Sequence, residues 1–289
     1  MDAIGNTPVV RLGRVFPDTH VVAKLEYMNP GGSIKDRMVR HMLKNLPKGA
    51  TRVVESSSGN TGAALAMASA VLGLRCDVTV PATTSAEKVK RIRAYGAEVH
   101  PCPPERYHAV AERLARERGA WYLDQYCSKH NREAHYQDTG PELWRQLGGE
   151  IDVFVCGIGS GGTISGIGRY LKERKPGLTV IGIEPPHSAY RKLVTDQPSH
   201  GDYATVIEGV GKREASLSFD PSVVDDVVQV DDEDALAWCH RLASEEGILA
   251  GGSSGCVTAG IAQLLPRLAG KRVATVYPDS GAFYLSKYF

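Results

Sequence analysis

Lys35 stands in the nonapeptide Asn29-Pro30-Gly31-Gly32-Ser33-Ile34-Lys35-Asp36-Arg37. Ser33, followed three residues later by Asp36, reads as a helix start with Ser33 as N-cap and Asp36 at N3. Lys35 then lies in the first turn, near the positive end of the helix dipole, where a cation is disfavoured and the amine pKa falls. A lysine so lowered suits Schiff-base chemistry; a solvated surface lysine is the plainer alternative. Three further clusters of small residues could hold anions. Gly157-Ile158-Gly159-Ser160-Gly161-Gly162-Thr163 follows an apolar run and opens a helix, so its amides form a cup for phosphate. Gly157, Gly159 and Gly162 also fit the G-x-G-x-x-G spacing, with Glu184 ending the next strand, which leaves a nicotinamide-dependent oxidoreductase open. Glu55-Ser56-Ser57-Ser58-Gly59-Asn60-Thr61-Gly62 brings hydroxyls and amides to another helix start, suited to a carboxylate or to an elaborate cap. Gly251-Gly252-Ser253-Ser254-Gly255 precedes the helix expected from Val257 and reads in the same two ways.

These clusters are punctuation in an alternating pattern. Strands are expected at 51–55, 76–80, 98–101, 121–123, 151–156, 179–183, 226–230 and 272–277. Helices are expected at 63–72, 85–95, 105–118, 141–147, 164–172, 234–246 and 257–268, with one more beginning near Ile34. Continuous apolar strands alternating with helices make βα units and a parallel sheet covered on both faces. The number of units favours two parallel-sheet α/β domains. Ligands bind beyond the carboxyl ends of such strands, where these glycines fall. The stretch Pro185–Glu208 has the weakest pattern and reads as an irregular or mobile surface segment.

Composition narrows the function classes. The 289 residues include 34 Lys+Arg against 33 Asp+Glu, a net charge of +1 that removes the electrostatic case for binding nucleic acid or a membrane surface. No apolar run reaches the ~20 residues of a transmembrane helix, and the start carries no secretory pattern, so a cytoplasmic protein is expected. Six cysteines without a C-x-x-C pair read as reduced, mostly buried thiols. His130 and His135 lack acidic companions and read as helix-surface residues, so no metal is expected. Lys212, Arg213 and Arg191 are basic residues that could meet a phosphate leaving group, or simply face solvent.

Taken together, the clusters resemble the fold-type II pyridoxal-phosphate enzymes of the cysteine synthase and cystathionine β-synthase group. The matching pieces are Ile4–Pro8, Lys24–Arg37, Ser57–Gly62, Thr139–Glu142, Gly159–Thr163, Gly251–Gly255 and Pro278–Gly281, in family order along essentially the whole chain. The resemblance implies a cleft between a smaller mobile domain, 29–128, and a larger cofactor-binding domain, 1–28 plus 129–289. It implies that Lys35 holds pyridoxal 5′-phosphate as an internal aldimine and that Asn60 bonds the cofactor's 3′-oxygen. Gly159, Ser160, Gly161, Gly162 and Thr163 would cradle the phosphate, and Ser253 would face the pyridine nitrogen. Ser57, Ser58, Gly59, Thr61 and Gln125 would hold the substrate carboxylate. The dinucleotide reading leaves Lys35 and the serine–asparagine loop unexplained.

The implied activity is β-replacement on an activated serine, O-acetyl- or O-phosphoserine, through an α-aminoacrylate, with sulfide as the preferred nucleophile. Three departures from the common cysteine-synthase pattern, at Ser56-Ser57, Gly252 and Ala282-Phe283, are similar to the branch that makes 2,3-diaminopropionate-type amino acids from O-phosphoserine and an amine. A hydroxyamino-acid ammonia-lyase is a further alternative. The expected partners are a small amino acid, a small nucleophile and a second copy in a homodimer, with no extra segment beyond the catalytic core.

Overall fold

The computed structural model describes residues 1–199 and 205–289. Its first half runs β1 (Val9–Arg11), β2 (His20–Leu25), α1 (Lys35–Lys44), β3 (Arg52–Ser56), α2 (Asn60–Leu72), β4 (Arg75–Pro81), α3 (Ala86–Ala94), β5 (Glu98–Cys102), α4 (Tyr107–Arg118) and β6 (Trp121–Tyr122). Next come α5 (Lys129–Ala134), a π-helical turn (His135–Thr139), α6 (Gly140–Gln146), β7 (Val153–Gly157), α7 (Gly162–Arg174), β8 (Thr179–Glu184) and α8 (Tyr190–Thr195). β9 (Asp226–Gln229), α9 (Asp232–Glu246), α10 (Gly252–Leu268), β10 (Arg272–Tyr277) and α11 (Leu285–Tyr288) complete the chain.

Among the described residues the strands form two sheets. One has the order β1-β2-β10-β7-β8-β9 and the other β5-β4-β3-β6. Every pairing is parallel except β1 with β2. Parallel strands covered by helices are buried on both faces, which is why Val153-Phe154-Val155-Cys156 reads as an unbroken apolar run and lies wholly inside. Separate apolar clusters fill the two sheets' layers: Val153, Val257 and Ile261 in one, Val53, Val78 and Leu65 in the other. No helix among the described residues is long and apolar enough to cross a membrane. All six cysteines are free thiols, with Cys127 exposed and the others buried.

A buried ion network sets the angle of α1 and hence of Lys35. Arg37 on α1 donates to Glu26 after β2 (2.7 Å) and to both oxygens of Glu142 on α6 (2.9 and 2.8 Å). Lys24 on β2 donates to Glu142 (2.5 Å), and the amides of Asn6 and Thr7 donate to it as well. Burial pushes the Glu142 carboxyl up, but Arg37 and Lys24 prevail and hold it at about 2. Two cations and two carboxylates with filled hydrogen-bonding positions can be buried together; any one alone would be costly.

Several sequence expectations are corrected. Ser33 is not the N-cap of α1: Ile34 is, and Ser33 Oγ accepts only the Lys35 amide at 3.3 Å. Asp36 turns back to accept the Gly31 amide (2.6 Å) instead of capping, and burial raises its carboxyl to about 6. Helix α10 begins at Gly252, so Ser253 lies inside its first turn rather than ahead of it. β2 and α5 were not expected, because charged residues interrupt both patterns. Pro185, Pro186, Ser188 and Tyr190 are buried rather than on the surface, and α8 interrupts the segment; residues 200–204 lie outside the described residues. His135 is fully buried: it starts the π-helical turn, packs against Gly166 of α7 and hydrogen-bonds Thr139 and Thr163.

Candidate active site

The loops after β3 and β7 and the segment after β10 all open into one cleft, as expected of the carboxyl ends of parallel strands. The cleft has a narrow inner recess and an outer chamber of about 650 Å³, and Lys35, Gly159 and Ser160 border both. Gly161, Thr163 and Ser253 line the recess. Ser57, Ser58, Gly59, Asn60, Thr61 and Gln125 line the chamber. The structure therefore brings together every site residue expected from sequence except Gly162. Gly162 is buried against Asn131, whose Oδ1 a Cβ at 162 would overlap.

Lys35 is fixed by its backbone. The neighbouring Ile34 amide donates to Pro278 beyond β10 (2.8 Å), and Ser33 pairs with Asp279 in an isolated bridge. Among the described residues its amine has no hydrogen bond or ion pair. Burial lowers its pKa; Asp279 and Cys156 oppose this, and Lys212 adds to it. The expected direction is present, but desolvation, rather than the helix dipole, is its main cause.

The loop between β7 and α7 has the form of an anion cradle. The amides of Gly159, Ser160 and Gly161 donate to nothing within the described protein, and α7 begins directly after them. Gly161 has φ +80°, a left-handed conformation natural to glycine. A Cβ there would overlap Phe219, and one at Gly159 would overlap the Gly209 carbonyl. Tyr190 donates to the Gly159 carbonyl (2.7 Å), and Asn131 donates to Ser160 Oγ (2.9 Å). His135 reaches Thr163 Oγ1 through Nε2 (3.2 Å) and Thr139 through Nδ1 (3.0 Å); burial keeps its pKa well below the usual value. Opposite the cradle, the Ser253 hydroxyl has no partner among the described residues. Free amides, a free amine and a free hydroxyl around one recess fit an aldehyde-bearing, phosphorylated aromatic cofactor.

In the chamber wall, Thr61 Oγ1 donates to Gln125 Oε1 (2.8 Å) and Ser57 Oγ accepts the Gly59 amide (3.3 Å). Asn60 is engaged at both ends: its Nδ2 donates to Asp279 (2.6 Å) and its Oδ1 accepts from Arg91 (3.1 Å). Asp279 also accepts from Tyr284 (2.6 Å), while its Oδ1 is buried without a partner; burial raises its carboxyl. Arg91 packs over Phe283 and donates to the Gly31 carbonyl. Asp279 falls within the family motif Pro278–Gly281, whereas Arg91 is one of several charged residues on α3, and its sequence neighbours carry no signal of a role. Glu184, the candidate ribose ligand, instead accepts the amides of Tyr190 and Arg191 (3.0 Å each) and caps α8.

This cleft, formed by the strand ends of two parallel sheets with a lysine between an anion cradle and a hydroxyl-lined loop, defines a pyridoxal-phosphate enzyme of the two-sheet type. Residues 1–279 match the family model described as "Pyridoxal-phosphate dependent enzyme", and the chain belongs to that family. It is 39% identical over 306 residues to a cysteine synthase of Aquifex aeolicus, covering 98% of this chain and 89% of that one. It is 38% identical over 304 residues to a cystathionine beta-synthase of Rattus norvegicus, covering 99% of this chain. The chain spans about half the length of that relative, 54%. The crystal structure of an O-ureido-L-serine synthase superposes with a TM-score of 0.90 at 34% identity, covering 99% of this chain and 93% of the other. The cofactor of the family is pyridoxal 5′-phosphate.

Proposed function

We propose that the protein catalyses β-replacement on an activated L-serine, with sulfide as the first candidate nucleophile. The observation that carries this is the unpartnered Lys35 amine between the amide cradle and the hydroxyl-lined chamber. Gly159 to Gly161 and Thr163 would hold the cofactor phosphate, with Gly162 supporting the loop from behind. Ser253 would meet the ring nitrogen, and Asn60 the 3′-oxygen. When bound, pyridoxal phosphate supplies an electron sink for the α-carbanion.

The chain's own residues supply the rest. The hydroxyls and amides of Ser57, Ser58, Gly59 and Thr61, with the Gln125 amide, would hold the α-carboxylate and orient the α-proton. Lys35, its pKa lowered, is free to take that proton and later return it. Ser253 is a neutral hydroxyl that does not hold a proton on the ring as a carboxylate would, which favours loss of the β-substituent over transamination. Residues 29–128 would move as the smaller domain on substrate binding.

The test is product analysis with purified holoenzyme, O-acetyl- or O-phospho-L-serine, and sulfide. Cysteine is expected. Pyruvate and ammonia at the full rate, without nucleophile incorporation, would replace this reading with an ammonia-lyase. A second reading, a specialised β-substituted alanine synthase, draws support from the likeness to the O-ureido-L-serine synthase structure and from Ser56 and Ser57. Faster turnover with a small amine than with sulfide would favour it.

A further inference from the structure

Lys212 is a half-buried cation in the chamber wall with no anion beside it among the described residues. Its backbone is clamped: its amide donates to Ser188 Oγ (3.1 Å) and its carbonyl accepts the Ala189 amide (2.9 Å). Its amine lies 3.9 Å from the centre of the Tyr126 ring, which steers the side chain. Among the described residues it makes no ion pair or hydrogen bond through Nζ. Of the two carboxylates that line this chamber, Glu208 is already taken by Lys88 and Lys287, and Glu87 is exposed on α3 and makes no ion pair with Lys212. Burial lowers the pKa of Lys212, a cost that an anion on the substrate would offset.

We infer that Lys212 forms an anion subsite for a phosphate ester on the substrate's β-carbon, so that the preferred donor is O-phospho-L-serine rather than O-acetyl-L-serine. The inference rests on the β-replacement reading. In that reading the α-carboxylate is met by the neutral donors of residues 57–61 and Gln125, which leaves the Lys212 charge for a second anion. An acetyl ester carries no charge and gives an ammonium no counterion, whereas a phosphate dianion does. In the reaction the Cβ–O bond breaks and phosphate leaves with the bonding pair. The α-proton goes to Lys35 and returns after the nucleophile adds. Lys212 stabilises the charge that collects on the departing phosphate.

The test compares kcat/KM for the two donors in wild-type holoenzyme, Lys212→Gln and Lys212→Arg. Wild type is expected to favour O-phospho-L-serine. Its preference ratio should fall about 10- to 100-fold in Lys212→Gln, the size of a charge-assisted hydrogen bond, and recover in Lys212→Arg. An unchanged ratio, or an effect confined to the KM of the nucleophile, overturns the inference. A calorimetric titration of the same holoenzymes with O-phospho-L-serine reads the subsite without turnover. Equal affinity in wild type and Lys212→Gln overturns the subsite. Tighter wild-type binding without product of any nucleophile would count against β-replacement alone.

Discussion

At the scale of residues, Lys35 and Ser253 separate chemistry from architecture. Lys35→Ala is expected to lower turnover about 10³-fold and abolish the visible absorbance of lysine-bound pyridoxal phosphate, while the far-ultraviolet circular dichroism stays unchanged. An active alanine variant would remove Lys35 from the reaction. Ser253→Asp is expected to place a charge beside the ring and increase side products; unchanged spectra and product ratios would show that the hydroxyl does not face the ring nitrogen. Lys35, Asn60, Ser253 and the cradle fall in local patterns of helix-start residues, so their meeting in one cleft could be expected from sequence, while their roles rest on the resemblance to the family. The Arg91–Asn60–Asp279 chain was not legible, since its members meet across 31 and 219 positions. His135 reads as a surface residue in sequence because what buries it, Gly166 and Thr163 on α7, lies about 30 positions away.

At the scale of elements, α1 depends on its buried ion network. Glu142→Gln leaves Arg37 and Lys24 short of one carboxylate and is expected to cost about 3–5 kcal/mol in denaturant unfolding. A loss within error of zero would show that the network is dispensable. The pH dependence has a definite sign. Glu142 is held at about 2, below its ordinary 4.5, so its contribution is complete above pH 4.5 and is lost as pH falls from 4.5 toward 2. Stability measured over that window should fall less steeply in Glu142→Gln than in wild type. The parallel strands were readable as apolar runs, β7 above all. β2 escaped because Lys24, a member of the network, breaks its apolar pattern with a charge that is nevertheless fully buried.

At the scale of the whole molecule, residues from the layers of both sheets line the cleft, and side chains of α2 and α3 bridge it: Asn60 to Asp279, Arg91 to Phe283 and Lys88 to Glu208. Lys88 on α3 grips both carboxylate oxygens of Glu208 (2.6 and 2.5 Å), joining the four-stranded sheet's layer to the loop before Gly209. If residues 29–128 move as a unit, adding a serine donor should reduce the radius of gyration measured by small-angle X-ray scattering. An unchanged radius would argue for a cleft that works without closing. The two-sheet architecture was legible from the count of βα units, but the pairing of β2 with β10 was not, because it joins the two ends of the chain.

The cradle between β7 and α7 is cast against protein. Gly159 lies on the Gly209 carbonyl, Gly161 on Phe219 and Gly162 on Asn131, so the loop's shape is imposed from behind. Such a loop stays in place without its ligand, and little ordering entropy remains to be lost on binding. Reconstitution of the cofactor-free enzyme should therefore follow a single phase, first order in added pyridoxal phosphate at low concentration, with no slow refolding step.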